Sequence, residues 1–265
     1  MTEPRGKTVL LTGASTGLGP HIARRLHREG AKFVVSARNE EALRQLADEL
    51  GGAKVIPADL SRPGEPERLA REAGDVDILI ANAGIPATGR LDTFAIEEID
   101  RALDVNLRAG MVLARLLAPA MVERRSGHLV FMSSIAGHAV QGGESVYHAT
   151  KFAIRGFALS LREELLSTGV GVSVICPTFV SEAGMWAETG LKPDPVAGEV
   201  TPAQVADAVR TAIVDNRGEI DVMPLQLKAS LKVQALAPGL FTAVARSRGA
   251  TQPNDEQDRR QRNKR

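Results

Sequence analysis

A single cysteine, Cys176, stands in this chain of 265 residues, which excludes an intrachain disulfide and a thiolate-built metal site. Charge of one sign is also missing. The 33 lysines and arginines meet 32 acidic residues for a net charge of +1, a balance that asks for no nucleic acid and no acidic partner. Aromatic residues are scarce at 3%, with one tryptophan, Trp186, and one tyrosine, Tyr147. No uncharged apolar run approaches the length of a membrane span, and residues 1–7 carry no apolar signal core. These absences lead to the expectation of a cytoplasmic protein with no integral membrane segment.

What is present has the composition of a globular protein, 43% hydrophobic and 25% charged, in a chain long enough to bury a full core. Short apolar β runs at residues 7–12, 32–36, 55–58, 78–80, 127–132, 170–176 and 219–223 alternate with helical patterns. That alternation predicts a doubly wound α/β fold with a parallel sheet of about seven strands and helices on both faces. With no internal repeat and no linker, one domain is expected over residues 1–250. It includes a lid at about 177–200, rich in Gly and Pro but carrying Phe179, Met185 and Trp186, and a helical segment at about 225–248. Residues 251–265 are polar and charged and are expected as a disordered tail.

The first strand ends in Gly13-Ala14-Ser15-Thr16-Gly17-Leu18-Gly19, followed by a helical pattern. Strand, glycine turn and helix together aim backbone N–H groups and a helix N-terminus at a phosphate, and glycine lets the backbone come close to it. After the second strand an acidic residue would suit a free ribose 2′-hydroxyl, yet Ser36 stands there, with Arg38 soon after. Arginine grips a 2′-phosphate, so NADP(H) is expected over NAD(H), although a surface arginine at a helix start reads the same. Asp59, just past the third strand, either accepts from an adenine amino group or starts a turn.

Tyr147 and Lys151 are four residues apart in a helical run and so share a face. An ammonium beside a phenol favours the phenolate, which predicts a tyrosine pKa below the usual value of about 10 and a proton traded near neutral pH. Ser134, delivered by the end of the fifth strand, offers a hydroxyl for a carbonyl oxygen. Asn106 sits in the middle of a long helical pattern over residues 96–122, where asparagine is a poor helix former. Side chains carry no hydride, so alcohol–carbonyl chemistry here requires a cofactor.

Together these motifs resemble the short-chain dehydrogenase/reductase family over residues 5–224. Residues 12–19 are similar to its cofactor motif, Asn82-Ala83-Gly84 to its NAG motif, and Tyr147-His148-Ala149-Thr150-Lys151 to its YxxxK. Ser134 stands at the family's serine-to-tyrosine spacing, and Asn106 within Val105-Asn106-Leu107 matches its fourth catalytic residue. The resemblance implies a Rossmann sheet in the order 3-2-1-4-5-6-7. It also implies Tyr147 as general acid or base, Ser134 as oxygen holder, Lys151 as ribose contact, and Asn106 as anchor of a water linked to Lys151.

Cofactor contacts implied in the same way are Gly13, Ser15, Thr16, Gly17, Leu18, Gly19, Arg38, Asn39, Asp59, Leu60, Asn82, Ala83, Gly84, Tyr147, Lys151, Pro177 and Val180. Substrate would meet Ser134, Phe179, Met185 and Trp186 in an apolar pocket, and a homodimer or homotetramer is the implied assembly. Two positions depart from the pattern. Thr178 follows Pro177 where the family has glycine, and Glu182 takes the place of a threonine at the nicotinamide amide. These departures motivate an alternative, a dinucleotide-binding regulator without catalysis; a sugar-nucleotide epimerase or dehydratase fits the glycine spacing less well.

Overall fold

A computed structural model describes residues 2–191, 198–236 and 255–265. Within them, β1 (Thr8–Thr12), β2 (Lys32–Ser36), β3 (Lys54–Val55), β4 (Ile78–Ala81), β5 (Gly127–Met132), β6 (Val170–Pro177) and β9 (Glu219–Val222) form one sheet in the order β3-β2-β1-β4-β5-β6-β9. Every pairing in it is parallel. The seven strands and their order are those expected, and the fold is a Rossmann-like doubly wound α/β sheet. Two short strands within the lid, β7 (Phe179–Val180) and β8 (Glu199–Val200), pair with each other outside it. The third strand is shorter than residues 55–58 because Pro57 has no N–H to give to the ladder.

Strands buried on both faces read as continuous apolar runs, and β5 and β6 are buried at every residue. One face is packed by α1 (Leu18–His27), α2 (Glu40–Glu49) and α8 (Pro202–Val214), which bury Ile22, Leu26, Leu43, Val205 and Val209. The other is packed by α3 (Glu65–Ala73), α5 (Ala109–Glu123) and α6 (Ser145–Glu164) around Leu69, Leu113, Phe131 and Ile154. The stretch Ile96–Glu123 is long and apolar enough, by length and composition alone, to cross a membrane. In the fold its Ala109, Leu113, Ala114, Leu117 and Met121 are buried against the sheet.

That long helical run is not one α-helix. It is α4 (Ile96–Leu103), a π-helical turn over Asp104–Arg108, and α5. The widened turn carries Asn106 at its centre, 5% exposed and facing inward, which resolves why a poor helix former stands there. Residues 192–197 of the expected lid lie outside the described residues, as do 237–248 of the expected C-terminal helical segment. Its first part is α9 (Leu225–Leu236). The tail expected to be disordered is corrected over residues 255–265. Asp255–Gln261 is a helix that continues into a 3-10 turn, Arg262–Lys264, and Gln257, Gln261 and Arg265 are buried.

Phe131 on β5 is fully buried and meets Phe157 of α6 edge-on, with centroids 5.5 Å apart and planes at 87°. This pair holds the Tyr147 helix against the strand that delivers Ser134. Phe131→Ala is expected to cost about 3–5 kcal/mol of unfolding free energy in a urea titration; a loss under about 1 kcal/mol would contradict this packing role.

Candidate active site

All sheet strands run parallel, so their carboxyl ends share one edge, where open α/β sheets place ligand crevices. Thr12 and Asn82 fasten the centre of that edge. The Thr12 hydroxyl accepts from the N–H groups of Asn82 and Ala83 at 3.1 and 3.0 Å, while Asn82 Nδ2 donates to the Thr12 and Gly13 carbonyls at 3.0 and 3.1 Å. A methyl on Gly13 would meet Ala83 Cα at 2.8 Å, and one on Gly19 would meet the Gly13 carbonyl at 2.3 Å. The turn is therefore closed to larger residues, and Gly17, at φ 59°, opens α1 with no side chain capping it. A cradle of this kind, at a helix start that no side chain caps, fits a dinucleotide pyrophosphate.

Beyond the turn a recess of about 470 Å³ is lined by Ser15, Thr16, Arg38, Asn39, Asp59, Leu60 and Arg101, among others. Arg38 is exposed, and no hydrogen bond or ion pair holds its guanidinium among the described residues. Asn39 caps α2, accepting from Ala42 N–H at 3.1 Å. Asp59 accepts from the Ser61 hydroxyl and N–H at 2.7 and 3.2 Å, so its turn-forming reading is realised at the rim of the recess. Burial pulls its carboxyl upward, but the Ser61 hydrogen bonds and the charges of Arg38 and Arg101 leave it below the ordinary carboxylate range. Arg101 was missed by sequence reasoning. Its signal was the helical spacing to Val105, which lines the same recess.

On the other side the crevice opens into a cleft of about 650 Å³ that brings together Gly84, Ser134, Tyr147, Lys151, Pro177, Phe179, Val180, Met185 and Trp186. Ser134 and Tyr147 line this cleft together, and the Ser134 hydroxyl is placed to lower the Tyr147 phenol's pKa. The neighbouring Ser133 is 5% exposed and spends its hydroxyl on the Lys151 carbonyl at 2.9 Å. Lys151 Nζ donates to the Met132 carbonyl at 3.0 Å and lies 5.6 Å from the Tyr147 ring centroid. Asn106 does not line the cleft. It is pinned behind it, Oδ1 accepting from Ile85 N–H at 2.7 Å and Nδ2 donating to the Ile85 carbonyl at 3.0 Å. Gly19 likewise stays beneath the turn.

The expected effect of Lys151 on Tyr147 is corrected. Burial raises the phenol above its usual value, the nearby Glu144 carboxylate raises it further, and the Ser134 hydrogen bond only partly offsets them. Burial also pushes the Lys151 ammonium down to about 8, which weakens it as a stabiliser of phenolate. Tyr147 thus keeps its phenolic proton at physiological pH. Glu144, a second residue not foreseen, precedes α6 and lines the cleft one turn before Tyr147; burial raises its carboxyl to about 7. His148 is fixed neutral, with Nδ1 on the Ala136 carbonyl at 2.9 Å and Nε2 accepting from Gln141 N–H at 3.0 Å.

Of the two departures, Thr178 lines the cleft, whereas Glu182 is exposed, at φ 65°, and absent from its lining. Away from the cleft, His138, Cys176, Glu219 and Asp221 place ligand-type atoms within 4.8 Å of one another. Arg155 pairs with Glu219, and His138 Nε2 stands 2.9 Å from Asp221 Oδ1.

A doubly wound sheet with a glycine cradle and a Ser–Tyr–Lys cleft at one edge defines a dinucleotide-binding oxidoreductase class. The model of the short chain dehydrogenase family matches residues 7–194. The ketoacyl reductase HetN of a Nostoc species is 39% identical over 253 residues, covering 92% of this chain and 88% of the relative. An uncharacterized oxidoreductase of Staphylococcus aureus is 34% identical over 237 residues, covering 85% of this chain and 100% of the relative. A short-chain dehydrogenase from Sphingobium yanoikuyae, solved in complex with NADPH, superimposes with a TM-score of 0.77 at 30% identity, over 89% of this chain and 95% of its own. A metagenomic short-chain oxidoreductase in complex with NADP gives a TM-score of 0.71 at 31% identity, over 83% and 98%. The chain belongs to the short-chain dehydrogenase/reductase family, whose members use a nucleotide cofactor.

Tyr147 is the one tyrosine, so its ionisation reads directly in the ultraviolet. Because the Glu144 carboxylate disfavours the phenolate, Glu144→Gln is expected to move the midpoint of that titration to lower pH by roughly half a unit or more. An unchanged or higher midpoint would contradict the coupling.

Proposed function

We propose that the protein is an NADP(H)-dependent oxidoreductase that moves a hydride between the nicotinamide and a carbonyl or secondary alcohol of a small molecule. The observation that carries this reading is the gathering of Ser134, Tyr147 and Lys151 in a cleft that runs on through the glycine turn to the Arg38 recess. When bound, the nicotinamide supplies or accepts the hydride. In reduction, Tyr147, held neutral by burial, donates its proton to the developing alkoxide while the Ser134 hydroxyl donates a hydrogen bond to the same oxygen. Lys151 and Asn106 would connect the site to the ribose and, through water, to solvent.

NADP(H) rather than NAD(H) is supported by Arg38 and Arg101, which both line the recess, and two similar solved structures hold NADP or NADPH. Gly13, Ser15, Thr16, Gly17, Leu18, Asn82, Ala83 and Gly84 would contact the phosphates and ribose, and Pro177 and Val180 the nicotinamide. The regulator reading loses support because Glu182 is exposed and is not among the residues that line the cleft. Leu103, Met111 and Leu116 on α4 and α5, with Phe152 on α6, leave an exposed apolar strip through which a homodimer or homotetramer would assemble. The cytoplasm is the compartment assigned, and residues 1–250 the single domain.

Tyr147→Phe is expected to lower kcat about 10²- to 10⁴-fold while the NADPH Kd stays within about threefold of wild type; turnover like that of wild type would sink the general-acid role. Arg38→Ala is expected to raise the Kd for NADPH roughly 10- to 100-fold and leave NADH binding nearly unchanged, read by nicotinamide fluorescence. Equal losses for both cofactors would overturn the 2′-phosphate assignment.

A further inference from the structure

The cleft expected to be apolar has a polar side. Beside the lid that carries Phe179 and Trp186, whose rings meet at 50° with centroids 4.3 Å apart, the helix Asp255–Gln261 and its continuation contribute Gln257, Gln261, Asn263 and Lys264 to the lining. A segment of this charge would ordinarily stay solvated, since burying amides and guanidinium groups costs free energy unless each is met by a partner. Here the partners come from three separate cleft-forming segments.

Gln261, 4% exposed, accepts from the Thr88 hydroxyl and donates to the Met185 carbonyl, both at 2.8 Å, so one amide ties the loop after β4 to the lid. Gln257 lines the cleft with Glu144 at the start of α6, and its amide opposes the upward pull of burial on that carboxyl. Arg265 bonds the Thr88 carbonyl and Asp258 and lies 4.1 Å from the centre of the Phe94 ring. The Arg265 carbonyl in turn accepts from Arg101 at 2.8 Å. Lys264 pairs with Glu188, and Arg260 bonds the Thr189 carbonyl, both in the lid.

We propose that residues 255–265 are the outer wall of the substrate cleft and determine specificity, admitting compact carbonyl compounds that bear a hydrogen-bonding group and refusing bulky hydrocarbon ones. The specificity clause rests on the oxidoreductase reading. The docking of the wall does not, and the lone tryptophan lies in the lid that the wall holds.

The test compares the full chain with Gln261→Ala, Arg265→Ala and a chain ending at residue 254. Acrylamide quenching of Trp186 fluorescence is expected to rise at least twofold in each variant. The ratio of kcat/KM for ethyl acetoacetate over that for 2-acetylnaphthalene, with NADPH, is expected to exceed tenfold in the full chain and to fall at least tenfold in each variant. Unchanged quenching would overturn the wall. Raised quenching with an unchanged ratio would overturn its role in specificity. If the full chain reduced neither ketone, the oxidoreductase reading would fail on these compounds, and quenching alone would decide whether the wall exists. A matching circular dichroism spectrum for Gln261→Ala and Arg265→Ala separates wall loss from unfolding.

Discussion

The knot between the ends of β1 and β4 is the constraint on which the rest depends. Asn82 and Ala83 donate four hydrogen bonds to Thr12 and Gly13 across it, and the turn comes so close that any side chain on Gly13 or Gly19 would strike backbone. Two parallel strand ends fixed side by side leave a crevice above them, and α1 begins there with uncapped N–H groups. The Arg38 recess lies on one side of this point and the Tyr147 cleft on the other. A dinucleotide spans such a distance, and that separation of phosphate grip from proton donor is what hydride chemistry on a bound carbonyl requires.

Burial then sets the charges. Tyr147 and Lys151 both lie where the charged form is disfavoured, so the phenol keeps its proton and the ammonium becomes easier to neutralise. Glu144 adds a negative charge one turn away, itself held near neutrality by the same burial.

Much of this was legible because it is local. Strand, glycine turn and helix over residues 8–27 follow from short-range pattern, and the four-residue spacing of Tyr147 and Lys151 places both on α6. What the sequence did not disclose depends on elements far apart in the chain. Asn106 looked misplaced until the π-helical turn aimed it at Ile85, a partner 21 positions away. The lysine's influence was overestimated because spacing shows that two side chains share a face but not how dry that face is. Residues 255–265 read as a disordered tail because their composition is polar, and only the positions of Thr88, Glu144 and Met185 show where those polar groups find partners. Glu182 looked like an intruder at the nicotinamide, but it is exposed, at φ 65°, and is not among the residues that line the cleft.

The measurement that tests the central claim most directly is isotopic. The protein would be incubated with NADPH carrying deuterium at the transferable nicotinamide position and a ketone, and the alcohol product analysed by mass spectrometry. The account predicts deuterium on the carbinol carbon with stoichiometric oxidation of the cofactor. Tight NADPH binding with no deuterium in any product across a panel of carbonyl compounds would contradict it and leave a dinucleotide-binding protein without hydride transfer.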